Sequence, residues 1–483
     1  MSLAADSPVH SSSSDDFAAF LDGELSSASS AREEALDEDG QSSSPANEEA
    51  EDENASCAPE EEDEDEGDLE SKRLKRPRME QLEVAECFEE SATDESLVHN
   101  SEASTSKEIC THPGSFGGMC IRCGQRVAEE SGVTFGYIHR GLRLGNDEIV
   151  RLRNTDMKNL LRHKKLYLVL DLDHTLLNST QLNHMTAEEE YLWSQTDSLQ
   201  DVSKGSLFML NLLQMMTKLR PFVRTFLQEA SQMFEMYIYT MGDRQYALRM
   251  ADLLDPRKEY FNGRVISRDD GTQRHQKGLD VVLGQESAVL ILDDTEHAWA
   301  KHKDNLILME RYHFFASSCH QFGFNCKSLS ELKTDENESE GALACVLKAL
   351  RKIHHTFFDE LEDSLDGRDV RQVLKTVRKD VLRGCKIIFS RVFPTQFQAD
   401  NHHLWKIAEH LGATCTTELD PSVTHVVSLE VGTDKSRWAV KHNKFLVHPR
   451  WIEATNFFWQ RQPEENFPVS QQKNEGSVPP NAE

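Results

Sequence analysis

"LYLVLDLDHTLLNST", residues 166–180, carries five apolar residues straight into Asp171 and Asp173, spaced one residue apart, and then into Thr175. A run of five without apolar–polar alternation has the length of a strand buried on both faces, as strands of a parallel sheet are. Two further runs share that character, Met236–Tyr239 and Val289–Leu292. Helical patterns lie between them, "RPFVRTFLQEASQ" and "RQYALRMADLLD". Strand–helix–strand order predicts an α/β fold built on a doubly wound parallel sheet.

Ligands of such sheets bind beyond the carboxyl ends of the strands. The first run delivers Asp171 and Asp173 there, the second Thr240, and the third Asp293 and Asp294. One Asp-x-Asp is weak evidence, since acidic turns after strands are common. Three consecutive strands tipped with carboxylates or a hydroxyl are a stronger signal. Phosphoryl transfer through an aspartyl-phosphate fits them. With a reference pKa near ~3.9, Asp171 is an anion at neutral pH and needs no base to activate it. A Mg²⁺ held by the strand-end carboxylates, with a nearby lysine, would offset its repulsion by a phosphate dianion. Asp173 is placed to protonate a leaving alkoxide and later to deprotonate water. Lys277, in "RHQKGLD", is the candidate charge clamp.

The words "DLDHTLL", "YTMGD", the lysine of "QKGLD" and "LDD" resemble the four motifs of the haloacid dehalogenase superfamily. "KLRPFVRTFL", "SRDD" and "DDTEHAW" narrow the resemblance to the phosphatases of the RNA polymerase II C-terminal domain (CTD), and among these to the plant CTD-phosphatase-like proteins. The resemblance implies a nuclear, Mg²⁺-dependent protein serine phosphatase. Asp171 would be its nucleophile and Asp173 its acid/base. Thr240, Lys277, Thr175 and Arg268 would bind the phosphoryl group or its surroundings, and Asp293 and Asp294 would complete a Mg²⁺ site begun by Asp171 and Asp173. Its partner would be the phosphorylated CTD, with a general transcription factor such as TFIIF as a second candidate. Two rivals are a phosphatase of the same chemistry acting on another phosphoprotein, and a silent scaffold. Residues 178–219 are longer than a plain connection and predict an inserted hairpin or cap. Large caps have no room there, which favours an open groove for a polypeptide.

"LRGCKIIFSRVFP", "LGATCTTELDPSVTHVVS" and "KFLVHPRWIEA" resemble a single BRCT domain. By that resemblance Ser390 and Lys435 would hold a phosphopeptide's phosphate. Arg391 stands where such readers often carry glycine. A packing module with no phosphate site is the competing reading.

The remaining features are compositional. The net charge of −30 is concentrated in residues 1–70, which hold 24 acidic residues and one basic residue, Arg32. The rest of the chain is near −7, too little positive charge for bulk nucleic-acid binding. No run of 18 apolar residues suggests a membrane span. Residues 1–108 read as a disordered acidic tail. It contains a nuclear-import-like cluster, Lys72, Arg73, Lys75, Arg76 and Arg78, and an amphipathic island with Phe17, Phe20, Leu21 and Leu25. The expected order continues with a Cys/His-containing lead-in (109–148), the phosphatase domain (149–332), a helical linker (333–380), the BRCT domain (381–467) and a second tail (468–483). Ten scattered cysteines in a long chain suggest a reducing compartment. Cys110, His112, Cys120 and Cys123 are spaced for a small Zn²⁺ site, with reduced thiols in a loop as the alternative. His163, His184, His354 and His355 fall in no catalytic pattern.

Overall fold

In the computed structural model the described residues are 110–128, 132–324, 326–360, 367–394 and 397–469. The expectations for the acidic tail, its basic cluster and its amphipathic island therefore lie outside the described residues, as does nearly all of the second tail. Among the described residues no helix is long and apolar enough to cross a membrane.

The chain opens with a small antiparallel sheet of β1 (Gly114–Phe116), β2 (Met119–Cys120), β3 (Val133–Thr134) and β4 (Leu142–Leu144), in the order β2-β1-β4-β3. Helix α1 (Asn146–Arg162) follows, with Asp147 and Glu148 in its first turn and Arg162 in its last, the charge order that suits a helix dipole. The central sheet begins with β5 (Leu166–Leu170). The insertion is a separate antiparallel sheet of β6 (Leu177–Gln181), β7 (Leu207–Leu210) and β8 (Met215–Leu219), ordered β6-β8-β7. Next come α2 (Val223–Ala230), β9 (Phe234–Tyr239), α3 (Arg244–Leu254), β10 (Val265–Ile266), β11 (Val289–Asp293) and β12 (Leu306–Leu308).

The central sheet is parallel throughout, in the order β10-β9-β5-β11-β12. All five residues of β5 and all five of β11 are buried, which is why their sequences read as unbroken apolar runs. From β5 the chain builds outward through β9 and β10, then returns to the other side of β5 with β11. The strand order thus reverses between β5 and β11, and a crevice opens at their carboxyl ends. Asp171 leaves β5 and Asp293 ends β11, side by side across that reversal; the Asp171 N–H donates to the Leu292 carbonyl at 3.0 Å.

After α4 (Ala316–Gln321), helices α5 (Ala342–His355) and α6 (Val370–Lys379) pack their apolar faces into the core beneath this sheet, as do Phe135 and Tyr137 of the opening segment. The last module is a parallel sheet of β13 (Lys386–Ser390), β14 (Thr414–Thr416), β15 (His425–Ser428) and β16 (Phe445–Val447), ordered β14-β13-β15-β16. Its helices are α7 (His403–His410), α8 (Asp434–Lys441) and α9 (Arg450–Phe458). A second core of Ile387, Phe389, Trp405, Val447 and the fully buried Trp451 holds it. Gly412, after α7, sits at φ 93°, and a Cβ there would lie 1.8 Å from the Lys379 carbonyl oxygen. Only glycine fits that turn. The module is tied back to the helices before it: Arg378 donates to the Asn456 side chain at 2.6 Å, and Trp459 joins the first core.

Candidate active site

Three carboxylates at the β5 and β11 tips, Asp171, Asp293 and Asp294, are buried and have oxygens within 4.8 Å of one another. The Lys277 ammonium, itself buried, donates to Asp171 Oδ1 at 2.5 Å and to Asp293 Oδ2 at 2.7 Å. Asp293 also accepts from the Trp299 indole N–H at 2.8 Å and from the Thr295 backbone N–H at 2.8 Å. Asp294 is bound by the Arg311 guanidinium at 2.5 Å. Each carboxylate is therefore held in one orientation by a partner outside the cluster or by the shared lysine.

The charges do not balance. Asp171, Asp173, Asp293 and Asp294 face only Lys277 and Arg311 among these contacts. Burial, and then the charge of Asp293, push the Asp171 carboxyl well above its usual range, while Lys277 pulls it back. Burial likewise raises Asp293 against the pull of Lys277. For Lys277 burial opposes the charge, but Asp171 and Asp293 outweigh it and hold the ammonium above its ordinary range. Surplus negative charge on oxygen donors at this spacing suits a hard divalent cation such as Mg²⁺.

Asp173 is held by other partners. Its Oδ1 accepts a 2.5 Å bond from the Tyr246 phenol, and its Oδ2 lies 3.5 Å from the Thr240 hydroxyl, at the limit of bonding. Its carboxylate is not among the three grouped as metal donors. Burial raises its pKa and the Tyr246 bond opposes that rise. Tyr246 also meets Ser179 of β6 at 3.1 Å, which links Asp173 to the inserted sheet. Thr240 accepts from the Gly242 N–H at 3.0 Å, which fixes its hydroxyl at the end of β9. Thr175 is fully buried and its hydroxyl has no protein partner, a free donor beside the first aspartate loop. The fully buried Arg220, from "KLRPF", holds that loop by donating to the Thr175 carbonyl at 3.0 Å while pairing with Glu336 at 2.7 Å. Arg268 opens a short 3₁₀ turn whose backbone N–H bonds the Gly242 carbonyl at 3.0 Å, so it borders the Thr240 loop.

Seven of the expected residues, Asp171, Asp173, Thr175, Thr240, Lys277, Asp293 and Asp294, thus gather at one end of the sheet, with Arg268 at the border. Tyr246, Trp299, Arg311 and Arg220 were not singled out from the sequence for the contacts they make. Trp299 and Arg220 lay inside quoted words, "DDTEHAW" and "KLRPF", which was the available signal. Tyr246 lay in "RQYALRMADLLD", quoted only as a helical pattern, and Arg311 in no quoted word, because only the packing of α3 and of the segment after β12 brings them to the site.

In the second module the Ser390 hydroxyl, at the end of β13, donates to Thr433 at 2.8 Å, and Thr433 caps α8 by accepting from the Ser436 N–H. The Lys435 ammonium donates to the Phe389 carbonyl at 2.9 Å. Both expected residues therefore meet at the same strand end. Arg391 adopts φ 54°, the left-handed region that favours glycine, and pairs with Glu430 at 2.5 Å.

Residues 166–338 match the family model of NLI interacting factor-like phosphatases, and residues 377–455 that of the BRCA1 C-terminus (BRCT) domain. RNA polymerase II C-terminal domain phosphatase-like 4 of Arabidopsis thaliana is 59% identical over 477 residues, 98% of this chain and 98% of its own. RNA polymerase II C-terminal domain phosphatase-like 3 of the same plant is 43% identical over 66% of this chain and 26% of its own length. Two solved structures of the RNA polymerase II CTD phosphatase Fcp1 share the fold. One has a TM-score of 0.51 at 24% identity, covering 66% of this chain and all of that one. The other, a fission yeast variant bound to beryllium fluoride, has a TM-score of 0.50 at 25% identity, covering 66% of this chain and 99% of that one.

Proposed function

This chain belongs to the family of RNA polymerase II C-terminal domain phosphatases, and on that premise we propose that it removes phosphate from serines of the polymerase's heptad repeats through an aspartyl-phosphate on Asp171. The observation that carries this reading is the pair of buried carboxylates from adjacent strands, Asp171 and Asp293, bridged by one ammonium at 2.5 and 2.7 Å. A fold that only bound phosphoproteins elsewhere would gain nothing from so costly a cluster, since each buried charge carries a desolvation penalty.

Asp171 attacks phosphorus, and the serine oxygen leaves with a proton from Asp173. The Tyr246 and Thr240 hydroxyls hold the Asp173 carboxylate, whereas the Lys277 ammonium holds Asp171 and Asp293, so the proton-carrying group and the nucleophile are oriented by different partners. Asp173 then takes a proton from water as water attacks the phospho-aspartate, so free Asp171 and inorganic phosphate are restored. Lys277, Thr240 and Thr175 offer donors to the phosphoryl oxygens, with Arg268 at the border. Asp171, Asp293 and Asp294 would hold Mg²⁺, whose chemistry is to neutralise charge on the nucleophile and the phosphoryl oxygens.

The second module supplies the substrate's repetition with a second contact. Ser390, Thr433 and Lys435 place two hydroxyls and a cation at the start of α8, chemistry that suits a phosphate. Lys435 would leave the Phe389 carbonyl to reach it. A nuclear location follows from the substrate. Phosphate release from phosphorylated heptad peptides, with and without Mg²⁺, tests the reading. We expect release that needs Mg²⁺ and is abolished by Asp171→Asn. Release by the folded variant at the wild-type rate would overturn it.

A further inference from the structure

Among the described residues a second group of metal-ligating side chains lies in the segment that precedes the central sheet, and its geometry stands independently of the chemistry above. Cys110 and His112 are on the lead into β1, Cys120 ends β2, and Cys123 follows in a turn. Gly117 and Gly118, at φ 55° and 81°, make a two-residue hairpin turn that pairs Ser115 with Cys120. The chain then folds over Cys120: the Gly124 N–H donates to the Cys120 carbonyl at 3.0 Å, and the Arg122 N–H points at Cys120 Sγ at 3.4 Å. A backbone N–H aimed at sulfur favours a thiolate.

The four ligand atoms lie within 4.8 Å of one another. Cys110 Sγ and Cys120 Sγ are 3.8 Å apart, and Cys123 Sγ is 3.4 Å from His112 Nδ1. A disulfide would bring two sulfurs to about 2.05 Å. A tetrahedral zinc ion with Zn–S near ~2.3 Å and Zn–N near ~2.0–2.1 Å separates two sulfurs by about 3.8 Å and a sulfur from a nitrogen by about 3.5 Å. The observed spacings follow the second pattern. The hairpin's large apolar side chains do not form a core of their own, since Phe116, Met119 and Ile121 are exposed by 46%, 52% and 56%. Small units without an apolar core of their own are commonly closed by a metal.

We infer that Cys110, His112, Cys120 and Cys123 bind one structural zinc ion. Four protein ligands fill a tetrahedron and leave no position for water or substrate, so the ion acts as a clasp. What it clasps is not remote from the catalytic module. β1 pairs with β4, Phe135 and Tyr137 enter the main core, and the Tyr137 hydroxyl donates to the Val281 carbonyl at 2.9 Å, four residues beyond Lys277.

The test uses the full chain, purified reduced and without added chelator. We expect one zinc per chain by elemental analysis. Replacement by cobalt should give thiolate-to-cobalt charge transfer in the near ultraviolet and the strong visible bands of a tetrahedral ion. A cobalt ion among the Asp171, Asp293 and Asp294 oxygens can show neither. Cys123→Ser should lose the zinc equivalent, whereas Cys385→Ser, at a buried thiol in the BRCT core, should keep it. Folded wild-type protein with no zinc equivalent, or with a cobalt spectrum lacking thiolate charge transfer, would overturn the inference without reliance on any variant.

Discussion

Replacing Lys277 by methionine keeps most of the side chain's volume and removes its ammonium. That group is 2.5 Å from Asp171 and 2.7 Å from Asp293, with the residue only 5% exposed. Removing one partner of a buried ion pair costs about 3–5 kcal/mol, because the other is left uncompensated. Two carboxylates are stranded here, beside a third, so the upper part of that range applies, about 4–5 kcal/mol. At roughly 2–4 °C per kcal/mol for a domain of this size, the melting temperature of Lys277→Met should fall by about 8–20 °C. Turnover measured well below that temperature should fall about 10²–10³-fold, the usual cost of losing one donor to a developing charge. Adding Asp293→Asn to Lys277→Met removes one of the stranded charges. The double variant should therefore melt above Lys277→Met, with a coupling of about 1–3 kcal/mol between the two sites. Mg²⁺ should stabilise Lys277→Met more than wild type, since the cation meets a less compensated cluster. Thermal melts of wild type, Lys277→Met, Asp293→Asn and the double variant, with and without Mg²⁺, give the stabilities and the coupling. If Lys277→Met melts within about 2 °C of wild type, or the two substitutions simply add, the electrostatic reasoning fails.

Asp173→Asn should suffer about 10²–10⁴-fold with a serine phosphate, whose leaving oxygen needs a proton, and much less in the first turnover of an activated aryl phosphate. Equal losses in pre-steady-state bursts would count against the acid role. Lys435→Ala should raise KM on a long, multiply phosphorylated CTD while leaving kcat and short singly phosphorylated peptides unchanged, because that contact is the same in ground and transition states. This substitution is a cleaner probe than deleting residues 381–467, which would take Trp459 out of the main core and strip Arg378 of Asn456. His425 is 1% exposed between the Phe445 and Trp451 rings, and burial pushes its imidazole down to about 4 against the pull of Glu464. The unfolded chain takes that proton near ~6.5 and the folded module does not. The BRCT module's stability should thus be full above about pH 6.5 and fall by about 3 kcal/mol as pH drops toward 4. Denaturant unfolding at pH 7 and pH 5 checks this, and His425→Asn should flatten the dependence.

What the sequence revealed followed burial. β5, β9 and β11 were legible because strands covered on both faces leave unbroken apolar runs, and their tips exposed Asp171, Thr240 and Asp293. β10 and β12 were not, since Val265–Ile266 and Leu306–Leu308 are too short for any periodicity. The inserted sheet was legible only as excess length. Its pairing depends on contacts such as Ser179 with Thr217 at 2.9 Å, which no local pattern announces. Likewise the direction in which Asp173 faces is set by Tyr246, seventy-three residues away.

The central claim is that Asp171 becomes phosphorylated. Asp173→Asn slows hydrolysis of such an intermediate, so the variant should be mixed with an activated aryl phosphate, quenched in acid within one turnover, and reduced with borohydride, which converts an acyl phosphate to homoserine. Peptide mass spectrometry should find that conversion at position 171 alone, in an amount matching the burst of aryl alcohol. A burst with no modification at Asp171, or with the label on another side chain, would contradict the account.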